Sequence, residues 1–242
     1  MSEMSRNPFF KKITFTSSGA VASYQGIAVK SAILWVLCFV GMGLFRLLPG
    51  SVPMAVALLA SAAVVLICPL LIYLLPGVAK VMAPVYAVAQ GLLLAVVCQE
   101  YAGQYAGYIW IAIGLTAVVF LVMLILYRSG IVKADARFRT ITMALFMSLM
   151  ASGIIMLISR LFTTALTDLF LNNPLISTIV AVVCLVISVM RLVYEFDYVQ
   201  RIVGQGAERK YEWVAAFGLF ITVIMIFLRI LELVSSGTRD KD

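Results

Sequence analysis

The chain has 242 residues, of which 64% are hydrophobic and only 12% charged, with a net charge of +7. An average soluble domain is roughly 45 to 50% apolar, so this composition excludes a disordered or collagen-like chain and leaves an all-α, polytopic integral membrane protein. Histidine is absent, which excludes His-dependent triads, His-ligated zinc or haem, and an imidazole pH switch.

Residues 1–29 carry Arg6, Lys11 and Lys12 and are polar or mixed. They lack a short apolar core with a cleavage site, so no signal peptide is expected and the first spanning segment serves as the targeting signal. They are read as a cytoplasmic tail before one transmembrane domain over 30–236, with a short C-terminal tail at 237–242. At about 20 apolar residues per crossing, seven spans fall near 31–48, 54–75, 81–98, 107–127, 140–159, 175–195 and 213–234. Between them stand Pro49-Gly50 and Pro53, Pro76-Gly77, Gly103, Arg128-Ser129-Gly130, Asn172-Asn173-Pro174, and Gly204 with Gly206, all residues that end helices. Connections this short make sequential spans antiparallel.

The third span repeats a small residue every four positions, at Ala83, Ala87, Gly91 and Ala95. Such a ridge lets two helices approach closely in lipid, where no hydrophobic drive brings them together. Gln90 beside it is expected to make an interhelical hydrogen bond. Cys38, Cys68, Cys98 and Cys184 fall in separate apolar runs with no C-x-x-C spacing and read as small packing residues.

Basic residues decide orientation, because cytoplasmic loops hold an excess of Lys and Arg. The tail and the loops after spans two, four and six hold twelve, and the other side four, namely Arg46, Arg160, Arg239 and Lys241. The N-terminus is therefore expected in the cytoplasm and the C-terminus outside, the reverse of seven-helix G-protein-coupled receptors. Every lysine lies at a span end or in a loop, so a retinal Schiff base is excluded as well.

A charge at the bilayer centre costs about 2.5 to 3.5 kcal/mol on insertion scales, so charges near the spans need an account. Arg191 with Glu195, and Asp197 with Arg201, are i,i+4 pairs at the cytoplasmic end of span six, and Arg229 with Glu232 is an i,i+3 pair near the outer end of span seven. The run from Pro174 can continue as helix to about Val203, longer than a ~30 Å core requires. A helix set deep would submerge Asp197, whose ionisation would then respond to both desolvation and the neighbouring arginines.

No nucleophile elbow, Walker loop, dinucleotide fingerprint or EF-hand loop is present. Ser152 and Thr222 have neither His nor a mid-helix Lys as base. No enzymatic activity, cofactor or metal site is expected, and basic residues scattered in short gaps give no nucleic-acid surface. The lipid bilayer is the one partner that composition itself names.

Four stretches, APVYAVAQGLLLA at 83–95, LYRSGIVKADARFR at 126–139, YEFDYVQRIV at 194–203 and KYEWVAAFGLFITV at 210–223, together resemble the Bax inhibitor-like family. These are the transmembrane Bax-inhibitor-motif proteins with their YccA-type bacterial members, and the resemblance covers roughly residues 24–236. It implies seven helices with the last one central and wrapped by the others. It also implies a pH-dependent calcium leak, or for YccA-type members restraint of a membrane-bound AAA protease, in a bacterial plasma membrane. In the calcium-leak members an acid on helix six shares a proton with an acid on helix seven, and such a pair titrates as a unit.

Carried over by residue, the helix-six acid is Asp197, while the helix-seven position holds Thr222. Gln90-Gly91 stands where many members have Glu-Gly. The candidate gating or proton site is thus Asp197, Thr222, Glu195 and Arg191, with Arg229 and Glu232 as a polar pair on the last helix. The Thr222 hydroxyl is expected to donate to Asp197 and to make any pH response weaker, or set lower, than in a two-acid relative. Calcium wants six to eight oxygens, and only Glu195 and Asp197 are near. A leak gated by Asp197 therefore stands beside a second reading, a non-conducting regulator of a partner such as that protease, since Gln90, Thr116, Ser152, Ser188 and Thr222 suit helix packing as well as a lumen.

Overall fold

A computed structural model describes residues 21–47, 54–132, 134–162 and 174–239. The tail over 1–20, the Pro49-Gly50, Pro53 and Asn172-Asn173 breaks, and residues 240–242 lie outside the described residues. Among those described, the chain is helical throughout, in the order α1 Tyr24–Leu47, α2 Met54–Leu74, α3 Ala79–Arg128, α4 Ala136–Phe162, α5 Pro174–Gly204 and α6 Tyr211–Arg239. One turn of 3-10 helix, Pro76–Val78, separates α2 from α3.

Six stretches are long and apolar enough to cross a membrane: Tyr24–Phe45, Pro76–Gln99, Gly107–Arg128, Ala136–Ile155, Thr178–Gly204 and Tyr211–Ser235. In α2 the shorter stretch Ala60–Leu74 is also apolar. Large side chains such as Trp110, Phe39 and Ile125 are exposed, which suits a surface facing lipid tails. The α6 span is 61% buried, against 11% for Gly107–Arg128 and for Ala136–Ile155.

The expected break at Gly103 is corrected, because α3 runs as one 50-residue helix through it. A glycine costs a helix only about 1 kcal/mol relative to alanine, and no proline lies between Pro84 and Arg128 to remove a backbone donor. Two stretches of spanning length, Pro76–Gln99 and Gly107–Arg128, lie within this helix and the 3-10 turn before it. The breaks at Pro76-Gly77, Arg128-Ser129-Gly130 and Gly204 with Gly206 hold. Gly130, with φ 74°, follows the end of α3, and Gly206, with φ 66°, closes α5. There the Ala207 N–H donates to the Ile202 carbonyl at 2.9 Å and the Gly206 N–H to that of Val203 at 3.2 Å, the Schellman pattern that favours glycine.

The chain divides into two compact units, Met1–Ala95 with Tyr198–Phe220 and Val96–Asp197 with Ile221–Asp242. In the first, α1 and the first half of α3 meet backbone to backbone. A Cβ on Gly91 would collide with the Cys38 carbonyl, and one on Gly41 with the Val88 carbonyl. The small-residue ridge thus serves the close helix contact expected of it, with Ala83 and Ala87 fully buried. Phe220 of α6 completes this core, its ring edge-on to Trp35 at 5.0 Å, and Phe217 meets Tyr86 at 4.9 Å. Gln90 is buried, but its Oε1 has no hydrogen-bond partner. The interhelical hydrogen bond expected of Gln90 is therefore not made through that oxygen.

In the second unit, Phe196 of α5 packs edge-on to Phe120 at 5.5 Å and lies 5.8 Å from Tyr127, both on α3. The hydroxyls of Thr116 and Ser188 donate to their own helices, to the carbonyls of Ala112 and Cys184 at 2.7 and 2.8 Å. Ser152 likewise donates to the Leu149 carbonyl at 2.8 Å.

Candidate functional site

On α4 the residues Arg139, Thr142, Met143 and Phe146 follow the i, i+3, i+4, i+7 spacing of one helix face, and three of them meet charged residues of α5. Arg139 Nη1 lies 3.6 Å from Asp197 Oδ2, with the two side chains 24% and 15% exposed. One to two turns away, Arg191 Nη1 donates to Met143 Sδ at 2.6 Å. Its guanidinium stands over the Phe146 ring at 4.3 Å and the Tyr194 ring at 4.6 Å. The order of these contacts, rising along α4 and falling along α5, makes the two helices antiparallel.

Arg191 Nη2 also lies 2.6 Å from Glu195 Oε1, with both side chains largely buried. The i,i+4 pair read from spacing is therefore formed, and two aromatic faces cover its cation. A guanidinium is suited to this, being weakly hydrated and able to stack on rings while it binds a carboxylate. Glu195 and Asp197 are two positions apart, about 200° around the helix, so their carboxylates diverge. Among the described residues no three of His, Cys, Asp and Glu come together as a metal-ion group.

Thr222 is fully buried, and its hydroxyl oxygen has no hydrogen-bond partner. The expected donation to Asp197 is thus corrected: matching the two helices along the sequence gave Thr222 a height but not a direction, and Asp197 meets Arg139 of α4. Arg229 and Glu232 pair at 2.8 Å, as their spacing predicts, with side chains 31% and 39% exposed.

A second charged cluster was not anticipated. Glu212, in the first turn of α6, is 1% exposed and forms an ion pair with Lys30 of α1. It accepts from the Ser23 N–H at 2.8 Å and from the Ser23 hydroxyl at 3.2 Å, and Arg209 Nε stands 3.7 Å away. The signal in the sequence was Lys30 inside a stretch that is helical from Tyr24, which needs a nearby acid once buried.

Apolar helices of spanning length define the class: a polytopic integral membrane protein of helices. A family model described as Bax inhibitor 1 like matches residues 5–238. The chain belongs to the Bax inhibitor 1-like family. Among curated proteins none matches it.

Proposed function

We propose that the protein is a seven-span, YccA-type member of the family in a bacterial plasma membrane, acting without enzymatic chemistry as a proton-sensitive leak for calcium or another cation. The seventh span in this reading is α2, the N-terminus faces the cytoplasm, the C-terminus lies outside, and the other helices wrap α6. The excess of Lys and Arg on one side supports the orientation, and the large buried share of α6 supports its central place.

The observation that carries the reading is the Arg139–Asp197 pair, which joins α4 to α5 by a charge that a proton removes. With Asp197 neutral, the attraction holding Arg139 is lost and the two helices are freer to part. The test is calcium flux into liposomes carrying the purified protein, from pH 5 to 8, for the native chain, Asp197→Asn and Arg139→Gln. A flux that rises on acidification, and that both substitutions make less dependent on pH, supports the leak. No flux above empty liposomes, from protein shown to be folded, overturns it.

The second reading, a non-conducting regulator of a membrane-bound AAA protease, is favoured by the Thr116, Ser152 and Ser188 hydroxyls, which donate to their own helices. A water-filled path wants such groups turned to one lumen. Site-specific crosslinking in membranes that joins the protein to such a protease would support this reading, and its absence with flux present would remove it.

A further inference from the structure

Residues 21–23 run along the turn between α5 and α6 as a short strap. Val21 pairs with Glu208 in an isolated antiparallel bridge, and the Ala22 N–H donates to the Ala207 carbonyl at 2.8 Å. The strap therefore rests on the Schellman turn that Gly206 makes. Ser23 then does two things with one hydroxyl. It accepts from the Gly26 N–H at 3.0 Å, the N-cap of α1, and it donates to Glu212.

Glu212 gathers the strap, the first turns of α1 and the start of α6 on one carboxylate. Ser23 supplies its N–H and hydroxyl, and Lys30, two turns along α1, supplies its ammonium. Lys30 also stands 5.5 Å from the centre of the Trp213 ring. Gly26 completes the fit, since a Cβ there would strike the Glu212 carboxylate. Three separate features of α1, a cap, a cation and a missing side chain, are thus arranged around one buried acid of α6. Packing alone would need none of them.

We propose that Glu212 is the lock of a releasable strap: its charge pins residues 21–30 to the α5–α6 turn, and its loss frees that segment, the first turns of α1 included, while the remainder of the helices stays folded. The device is regulatory, because anything that displaces the start of α1 is felt at residues 204–212, and the reverse. It depends neither on the Arg139–Asp197 pair nor on whether the protein conducts.

Hydrogen exchange of the full chain in nanodiscs tests this. Local opening raises exchange only where hydrogen bonds are released. In Glu212→Gln, exchange is expected to rise at least tenfold in peptides covering 21–30 and 204–212, with peptides covering 139–146 and 188–197 unchanged. Gly26→Ala, which keeps every charge but displaces the carboxylate, is expected to give the same local pattern. So is Lys30→Met, which serves in place of Glu212→Gln if that variant does not fold. A Val21→Cys, Glu208→Cys disulfide across the bridge, at a spacing such bridges allow, is expected to restore slow exchange to the Glu212→Gln chain. Unchanged exchange in the two strap peptides overturns the proposal. So does a rise in all four peptides, which would make Glu212 a residue of general stability.

Discussion

Arg139 of α4 and Asp197 of α5 form an ion pair at 3.6 Å, with both side chains more buried than exposed. The pair spans two helices that otherwise meet through Met143, Phe146 and Arg191, so it is the part of this contact that a single proton removes. A pair of this length and partial exposure contributes about 1 kcal/mol, near the upper end for pairs open to water. In a double-mutant cycle, Asp197→Asn and Arg139→Gln are expected to couple by about that amount in thermal unfolding. Strict additivity would show that the two charges do not feel each other.

Arg191 and Glu195 make a more buried pair, and the consequence of breaking it is larger. Removing one partner leaves a charge with no counterpart, at a cost of about 3 to 5 kcal/mol, whereas replacing both by apolar residues of similar size is close to neutral. Arg191→Met alone is expected to lower the melting temperature strongly, and Arg191→Met with Glu195→Met to recover most of the loss. A double variant as unstable as the single one would mean that the guanidinium's place between Phe146 and Tyr194 matters more than its charge.

Gly91 and Gly114 both lie within α3, and only the first is crowded. Gly91→Ala would press a methyl onto the Cys38 carbonyl, and overpacking of this kind costs about 1 to 3 kcal/mol. At Gly114 a Cβ meets nothing within 4 Å, so Gly114→Ala is expected to stabilise the helix by up to about 1 kcal/mol. Thermal melts of the two variants should move in opposite directions, and a shared direction would refute the contact at Gly91.

Lys210 lies between the α5 and α6 spans, 2.6 Å from Glu208. The hydrogen bond to Glu208 holds its ammonium above the ordinary value of 10.5. A raised value favours folding at every pH below the ordinary one, and that contribution is lost only as pH climbs through the raised value. Because Lys210 is 41% exposed, solvent reduces the effect to a few tenths of a kcal/mol, roughly. Native and Lys210→Met proteins should therefore differ by the same small amount at pH 6 and pH 8. A difference that changed between those values would show another group titrating with the pair.

What could be read from the sequence was what depends on neighbours along the chain. The apolar stretches were visible as runs longer than a bilayer needs, and Pro76-Gly77, Gly130 and Gly206 as residues that stop helices. Arg191–Glu195 and Arg229–Glu232 followed from i,i+4 and i,i+3 spacing alone. Gly103 misled because glycine weakens a helix without ending it. Thr222 misled because similarity along a helix does not say which way a side chain turns. Arg139–Asp197 and Lys30–Glu212 join residues from different helices, the latter 182 positions apart, and no local pattern pairs such groups in advance.

That separation has a consequence for how the molecule is made. Lys30 leaves the ribosome 182 residues ahead of its counter-ion Glu212. At synthesis rates of about 5 to 20 residues per second, the wait is roughly ten to forty seconds. For that interval α1 holds a cation at its base with no acid from α6 to answer it, so this contact forms later than the packing of α1 on α3 can.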